Sequence, residues 1–207
     1  MSPADLLELL RAVAAGRLDE QAALARLRAL PYADLGFARV DHHRALRQGA
    51  PEVIFGAGKT PEQIACIAAS LLDAGANVLC TRAAPEAYAA LKERAHDAQH
   101  HAEARAITVV RRAPGALGKV GVLCAGTSDV PVAEEAAVSA AFFGAEVTRL
   151  YDVGVAGLHR LLAENAALSG FDVAIVVAGM EGALPSVVGG LVAAPVIAVP
   201  TSVGYGA

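Results

Sequence analysis

Four short stretches of this 207-residue sequence set small, hydroxylated or charged residues directly behind apolar runs. In AGTSDVPVAEEAA (125–137), Gly126, Thr127, Ser128 and Asp129 lead into an alanine-rich segment. A glycine there allows close backbone approach. Hydroxyls and helix-start N–H groups can hold a phosphate or a carboxylate. The same residues also read as an ordinary helix N-cap with no ligand. Pro131 fits a first helical turn, and Glu134 and Glu135 suit the helix dipole. Because those two acids would repel an anion, they are expected to face solvent. In YDVGVAGLHRLL (151–162), Asp152 opens the loop, and His159 and Arg160 fall about two turns into the helix that follows; one is expected to lean over the site and the other to sit at the surface. In GMEGALP (179–185), Gly179 and Met180 precede Glu181, the only charged residue from 173 to the end of the sequence. A carboxylate in apolar surroundings has a raised pKa and can shuttle protons, although capping the next helix is the plainer role. In PTSVGYG (200–206), Ser202 and Gly204 bring small, hydroxylated chain once more. Four such loops at one edge point to a ligand of nucleotide size more strongly than any one of them does.

The runs that must position these loops are short, apolar and β-branched. VGVLCA (120–125), EVTRLY (146–151), DVAIVVA (172–178) and PVIAVP (195–200) read as strands, with helices expected over 131–143, 155–166 and 183–192 between them. That alternation predicts a parallel, doubly wound sheet whose strand-to-helix loops share one edge, where open α/β sheets bind ligands. Upstream, residues 4–15 and 19–30 carry apolar residues at helical spacing around Gly16, which predicts a helical hairpin ended by Pro31. FARVD (37–41), EVIFG (52–56), NVLCT (77–81) and AITVVRR (106–112) follow as strands, with helices over about 60–74 and 84–98. RRAPGALGK (111–119) is the boundary. The expected organisation is therefore a hairpin over 1–36, a smaller mixed α/β domain over 37–112 and a nucleotide-binding domain over 119–207.

Composition narrows the function classes. The sequence is 55% hydrophobic with mean hydropathy +0.46 and no tryptophan, which excludes a disordered chain and favours buried parallel strands. A formal charge of −4 without a long basic block leaves no nucleic-acid footprint. Cys66, Cys80 and Cys124 form no CxxC pair, and an odd number of thiols in apolar segments suits a reducing cytoplasm. Acids arrive too early at the start for a signal peptide. Prolines and glycines cut the apolar stretch 173–207 into strand-length pieces, so no membrane helix is expected there.

Two motifs fail on inspection. FGAGKT (55–60) looks like a phosphate loop, but the required glycine five places before Gly58 is Val53. Lys59 is then expected at a solvated helix start. His96, His100 and His101 include an i, i+4 pair, but they lie in ERAHDAQHHAEAR, a polar segment that reads as a solvated helix face rather than a metal site.

DHHRALRQGAPEVIFGAGKTPEQI (41–64), AGTSDVPVAEEAA (125–137), YDVGVAGLHRLL (151–162), VVAGMEGALPSVVGGL (176–191) and PVIAVPTSVGYGA (195–207) together resemble the LarB family. Its members are pyridinium-3,5-biscarboxylic acid mononucleotide synthases of nickel-pincer nucleotide biosynthesis. The second half also resembles the aminoimidazole ribonucleotide carboxylase (PurE) fold, in which a similar Ser-Asp loop binds a nucleotide phosphate. The resemblance implies a substrate, nicotinic acid adenine dinucleotide. It implies carboxylation by CO2 or bicarbonate at C5 of the pyridinium ring, and Mg2+-assisted hydrolysis of the phosphoanhydride to release AMP. Taken with the loops, this reading assigns catalysis to Glu181, Asp129 and His159. Substrate binding falls to Gly126, Thr127, Ser128, Asp152, Arg160, Gly179, Met180, Ser202 and Gly204; no metal ligands are assigned. It also implies a homo-oligomer, an octamer as in PurE relatives. In the family a cysteine on a helix soon after the GYGA segment adds to the ring. Cys124 stands where the family more often has threonine, so residues 1–207 are expected to bind a nicotinic acid nucleotide without carboxylating it. Two alternatives stand beside this reading. One is a PurE-type mutase, which carries a histidine just before the Leu-Pro where this sequence has Ala183. The other is a nucleotide-binding oligomerisation module with no catalysis.

Overall fold

A computed structural model describes residues 3–28 and 32–202. The chain divides into two compact units, residues 1–100 with 107–112 and residues 101–106 with 113–207.

In the first unit, α1 (Pro3–Ala14) and α2 (Glu20–Arg28) form the hairpin, and β1 (Tyr32–Asp34) and β2 (Arg39–Asp41) pair antiparallel. Then come α3 (Arg44–Gln48), β3 (Ile54–Phe55), α4 (Pro61–Asp73), β4 (Val78–Thr81), α5 (Pro85–Arg94), β5 (Gln99–His101) and β6 (Ala106–Val109). The sheet order is β3-β4-β6-β5, with β3 and β4 parallel and β4 and β6 antiparallel. Ile64, Leu71, Val78, Leu91 and Ile107 are its buried centre. The DHHR segment is a structural knot. The Asp41 carboxylate accepts from the His43 amide at 2.9 Å and from Arg47 at 2.6 Å, and the Arg47 guanidinium holds the Asp41 carboxyl below its ordinary range.

The FGAGKT segment is a capped helix start. Thr60 and Gln63 exchange side-chain and backbone hydrogen bonds around Pro61, a cap that contributes about 1 kcal/mol. The Lys59 ammonium donates to the Phe55 carbonyl at 2.8 Å. The expected helix over 84–98 stops at Arg94, because Ala95 turns to an extended φ of −139°. His96 therefore lies beyond the helix, and His100 and His101 lie on β5, where the His100 ring stacks on Tyr88. That corrects the expectation of a histidine-bearing helix face. Among the described residues no group of three or more His, Cys, Asp or Glu side chains is placed to hold a metal ion.

The second unit is the regular alternation. It runs β7 (Lys119–Cys124), a 3-10 turn (Thr127–Asp129), α6 (Val130–Phe143), β8 (Glu146–Leu150), a second 3-10 turn (Val155–Gly157), α7 (Leu158–Ala163), α8 (Asn165–Leu168), β9 (Val173–Ala178), α9 (Ala183–Leu191) and β10 (Val196–Pro200). All pairings are parallel, in the order β10-β9-β7-β8. Alternate residues serve opposite faces, as the period of a strand requires. Val122, Cys124 and Val177 pack under α6, whereas Leu123, Val176 and Ala178 pack with Leu161, Leu168, Leu184 and Val188 from α7, α8 and α9. The sheet is thus doubly wound. The one expected helix over 155–166 is broken into a turn and two short helices at Glu164. Glu134 departs from expectation as well. Rather than facing solvent alone, it accepts from Arg149 at 2.8 Å and from the Tyr151 hydroxyl at 2.8 Å. This ties α6 to the end of β8.

No helix among the described residues is long and apolar enough to cross a membrane.

Candidate functional site

The first strand of the parallel sheet, β7, has β8 on one side and β9 on the other. The chain therefore leaves β7 and β9 in opposite senses, and a crevice must open past their carboxyl ends. A pocket of about 320 Å³ lies there. It is lined by the loop after β7 (Gly126, Ser128, Asp129), the loop after β8 (Asp152, Gly154) with Arg160 of α7, and the loop after β9 (Gly179, Met180, Glu181). Its size falls in the range of small-molecule sites.

Backbone demands shape the walls. A Cβ on Gly154 would meet the Ala125 carbonyl oxygen at 2.6 Å, so only glycine lets the second loop close on the first. Asp152 and Met180 both hold left-handed conformations, at φ +56° and +53°. Such conformations cost a non-glycine residue free energy, and they cluster at ligand sites. Both of these residues line the pocket.

Asp129 is buried, at 4% exposure. Its two carboxylate oxygens have separate donors: the Gly126 amide at 3.0 Å on Oδ2 and the Thr201 hydroxyl at 2.7 Å on Oδ1. One loop amide that could meet an anion is thus taken by a carboxylate, and Asp129 is an anchor of the loop. Ser128 is exposed and lines the pocket. Arg160 forms an ion pair with Asp152 and crosses over Gly157. Glu181 lines the pocket but is exposed rather than enclosed in apolar surroundings.

Other expected site residues stand apart. Thr127 and Ser202 are exposed and outside the pocket lining. His159 is exposed on α7, also outside that lining, so Arg160 is the one of the pair that leans over the site. Gly204 lies outside the described residues. Thr201 was the residue that sequence reasoning passed over. Its hydroxylated neighbourhood was visible, but its partner is 72 residues away.

Cys124 ends β7 directly beneath the pocket, fully buried, with its thiol donating to the Gly126 carbonyl at 3.5 Å. Burial pushes this thiol up, and the nearby Asp129, Asp152 and Glu134 carboxylates push it further. It is an inert core thiol, since the thiolate is the nucleophile.

The charge balance of the lining is its most telling chemical property. Among the described residues it carries three carboxylates, Asp129, Asp152 and Glu181, against the single guanidinium of Arg160. An anionic ligand entering here needs countercharge. Mg2+ suits such a donor set in its usual mode, one or two carboxylates with the rest of its shell supplied by ligand phosphates and water.

Comparison with known proteins fits this geometry. Residues 32–112 match the family model described as LarB/PurE-like N-terminal domain, and residues 119–206 match the one described as AIR carboxylase. An uncharacterized protein of Methanocaldococcus jannaschii is 39% identical over 179 residues, covering 81% of this chain and 69% of its own.

Proposed function

The chain belongs to the LarB family, with a PurE-like carboxylase domain in its second half, and from that premise we propose that it carboxylates C5 of the pyridinium ring of nicotinic acid adenine dinucleotide and hydrolyses the phosphoanhydride. The products are pyridinium-3,5-biscarboxylic acid mononucleotide and AMP. A carboxylase-related role follows from the family itself. The pocket at the β7/β9 crevice, with a hydroxyl, a guanidinium and a carboxylate from three different strand-to-helix connections and the helix start they lead into, is the observation that carries the finer reading.

In this reading each wall has its own task. The Ser128 hydroxyl and the adjoining loop take a phosphate oxygen at the start of the helical turn. Arg160, held by Asp152, offers its guanidinium to the same charge. Asp129 stays an anchor and keeps the loop in shape. Once a thiolate has added to the ring, as the family's cysteine does, and the dearomatised C5 has attacked CO2, Glu181 takes the proton that C5 loses and expulsion of the thiolate restores the aromatic ring. Asp152 is the lining carboxylate that would hold Mg2+, which when bound would neutralise phosphate charge during phosphoanhydride cleavage. The three free thiols suit a reducing cytoplasm.

Full-length protein incubated with the dinucleotide, bicarbonate and Mg2+ is expected to release AMP and a doubly carboxylated mononucleotide, read by mass spectrometry. Conversion of an aminoimidazole ribonucleotide instead would give the site to PurE-type chemistry. Binding of the dinucleotide with neither product would leave a binding module.

The proposal includes a homo-oligomer, an octamer by the same resemblance. What supports it is the thin cover of one sheet face. Among the described residues α6 is the one helix on that face, and on the edge strand β10 Ile197 is 52% exposed. Leu158, Leu162 and Leu191 are exposed on α7 and α9. Light scattering is expected to give a mass several times 21.0 kDa at micromolar concentration, and a 21.0 kDa species would remove this part.

A further inference from the structure

We propose that Thr201 is a positioning residue for the site: it fixes the carboxylate plane of Asp129, and through it the loop after β7. For its effect on ligand affinity the inference rests on the function proposed above; for its effect on the loop it does not.

Two anchors hold Asp129, and they differ in kind. The Gly126 amide can only donate, so Oδ2 must be an acceptor. This contact is local, three residues along the chain, and alone it leaves the carboxylate free to swing about its Cβ–Cγ bond. The second anchor comes from across the sheet. β10 is separated from β7 by the whole of β9. The Thr201 amide donates to the Ala178 carbonyl at 3.1 Å, which carries the β9–β10 ladder one residue beyond β10 and fixes the Thr201 backbone. From that fixed position its hydroxyl spans β9 to reach Oδ1 at 2.7 Å. With one donor on each oxygen, the carboxylate plane has a single orientation, and the Gly126 amide that it holds fixes the loop after β7 beside the pocket. A loop preset in this way binds without the ordering cost that a mobile loop would incur.

Valine has the shape of threonine without the hydroxyl. Thr201→Val is expected to weaken binding of nicotinic acid adenine dinucleotide, measured by calorimetry, by roughly tenfold or more, the range for a lost hydrogen bond to a charged group. Thr201→Ser, which keeps the hydroxyl, is expected to restore it. In an Asp129→Ala background Thr201→Val is expected to cost no further affinity, because no carboxylate is left to orient. Equal losses in the parent and that background would overturn the inference. Amide hydrogen exchange in the ligand-free protein decides the matter independently of any nucleotide. Thr201→Val is expected to speed exchange at Gly126, whose acceptor is Asp129, and to spare Ala125, which donates to the Val177 carbonyl at 3.0 Å. Parallel acceleration at both amides would mean general loosening of the sheet edge, and no change at Gly126 would mean that Asp129 needs no second anchor; either result overturns the inference. If the parent protein binds no dinucleotide, the proposed function falls and the Gly126 readout still stands.

Discussion

Glu181→Gln in the full-length protein is expected to abolish carboxylation, by roughly 10²- to 10⁴-fold as for loss of a general base, while the dinucleotide still binds within a few-fold of the parent. Glutamine keeps the length and hydrogen-bonding shape of the side chain but cannot accept the C5 proton. The expectation draws on the geometry of the loop. Glu181 follows the left-handed Met180 and precedes Gly182, itself at φ +64°, so two unusual turns in sequence aim this loop at the crevice. The measurement is single-turnover formation of the carboxylated ring by mass spectrometry, beside calorimetric binding of the substrate. Carboxylation at the parent rate would return Glu181 to the role of a loop residue. A loss of binding equal to the loss of rate would make it a substrate contact, because an interaction confined to the transition state leaves ground-state affinity alone.

The second large effect concerns Asp129, where stability and binding separate by substitution. Asp129→Ala removes both acceptors at once and strands the Gly126 amide and the Thr201 hydroxyl. A fully buried donor left unsatisfied costs about 1–3 kcal/mol, and these part-buried donors fall toward the lower end. Urea denaturation is therefore expected to show a clearly lower midpoint with an unchanged slope. Asp129→Asn is a milder change. Its carbonyl can keep the Gly126 amide and its NH2 can turn to Thr201, whose hydroxyl also accepts. Stability is expected to stay within about 1 kcal/mol of the parent, the net worth of a typical hydrogen bond. Ser128→Ala, at an exposed position, is expected to lower nucleotide affinity and leave the midpoint unmoved. A fully stable Asp129→Ala variant would show that the loop holds itself without the carboxylate.

The parallel sheet was legible because its strands announce themselves chemically. VAIVVA and VGVLC are buried on both faces and so read as unbroken apolar runs bounded by glycine. The elements missed were those without such a signature. β1 and β5 have three residues each, and β5 is the polar QHH, whose pairing is set by neighbours and not by its own pattern. The broken helix after β8 also left no clear mark, since LLAENAAL keeps its apolar spacing straight through Glu164. In the site, the loops could be listed from sequence but their interior order could not. Glu181 has apolar neighbours along the chain, yet exposure is decided by what the fold lays over it. Left-handed conformations at Asp152 and Met180 are invisible because neither residue is glycine. The Asp129–Thr201 bond joins the first and last strands of the unit, and nothing local encodes it.

The break between α7 and α8 has a kinetic consequence. Helices of six and four residues have almost no stability of their own, because the cost of nucleating a turn is hardly recovered over so few hydrogen bonds. Leu161 and Leu168, both fully buried, hold the two pieces to the sheet almost as separate pegs. A segment of this kind opens at a fraction of the free energy of global unfolding, while the central strands β7 and β9 remain closed. Arg160 and Asp152 sit at its leading end, so one wall of the crevice can breathe on the microsecond-to-millisecond scale of local opening against two walls that stay still. Under the proposed function, a bulky dinucleotide would enter the small resting pocket through transient openings of that one wall.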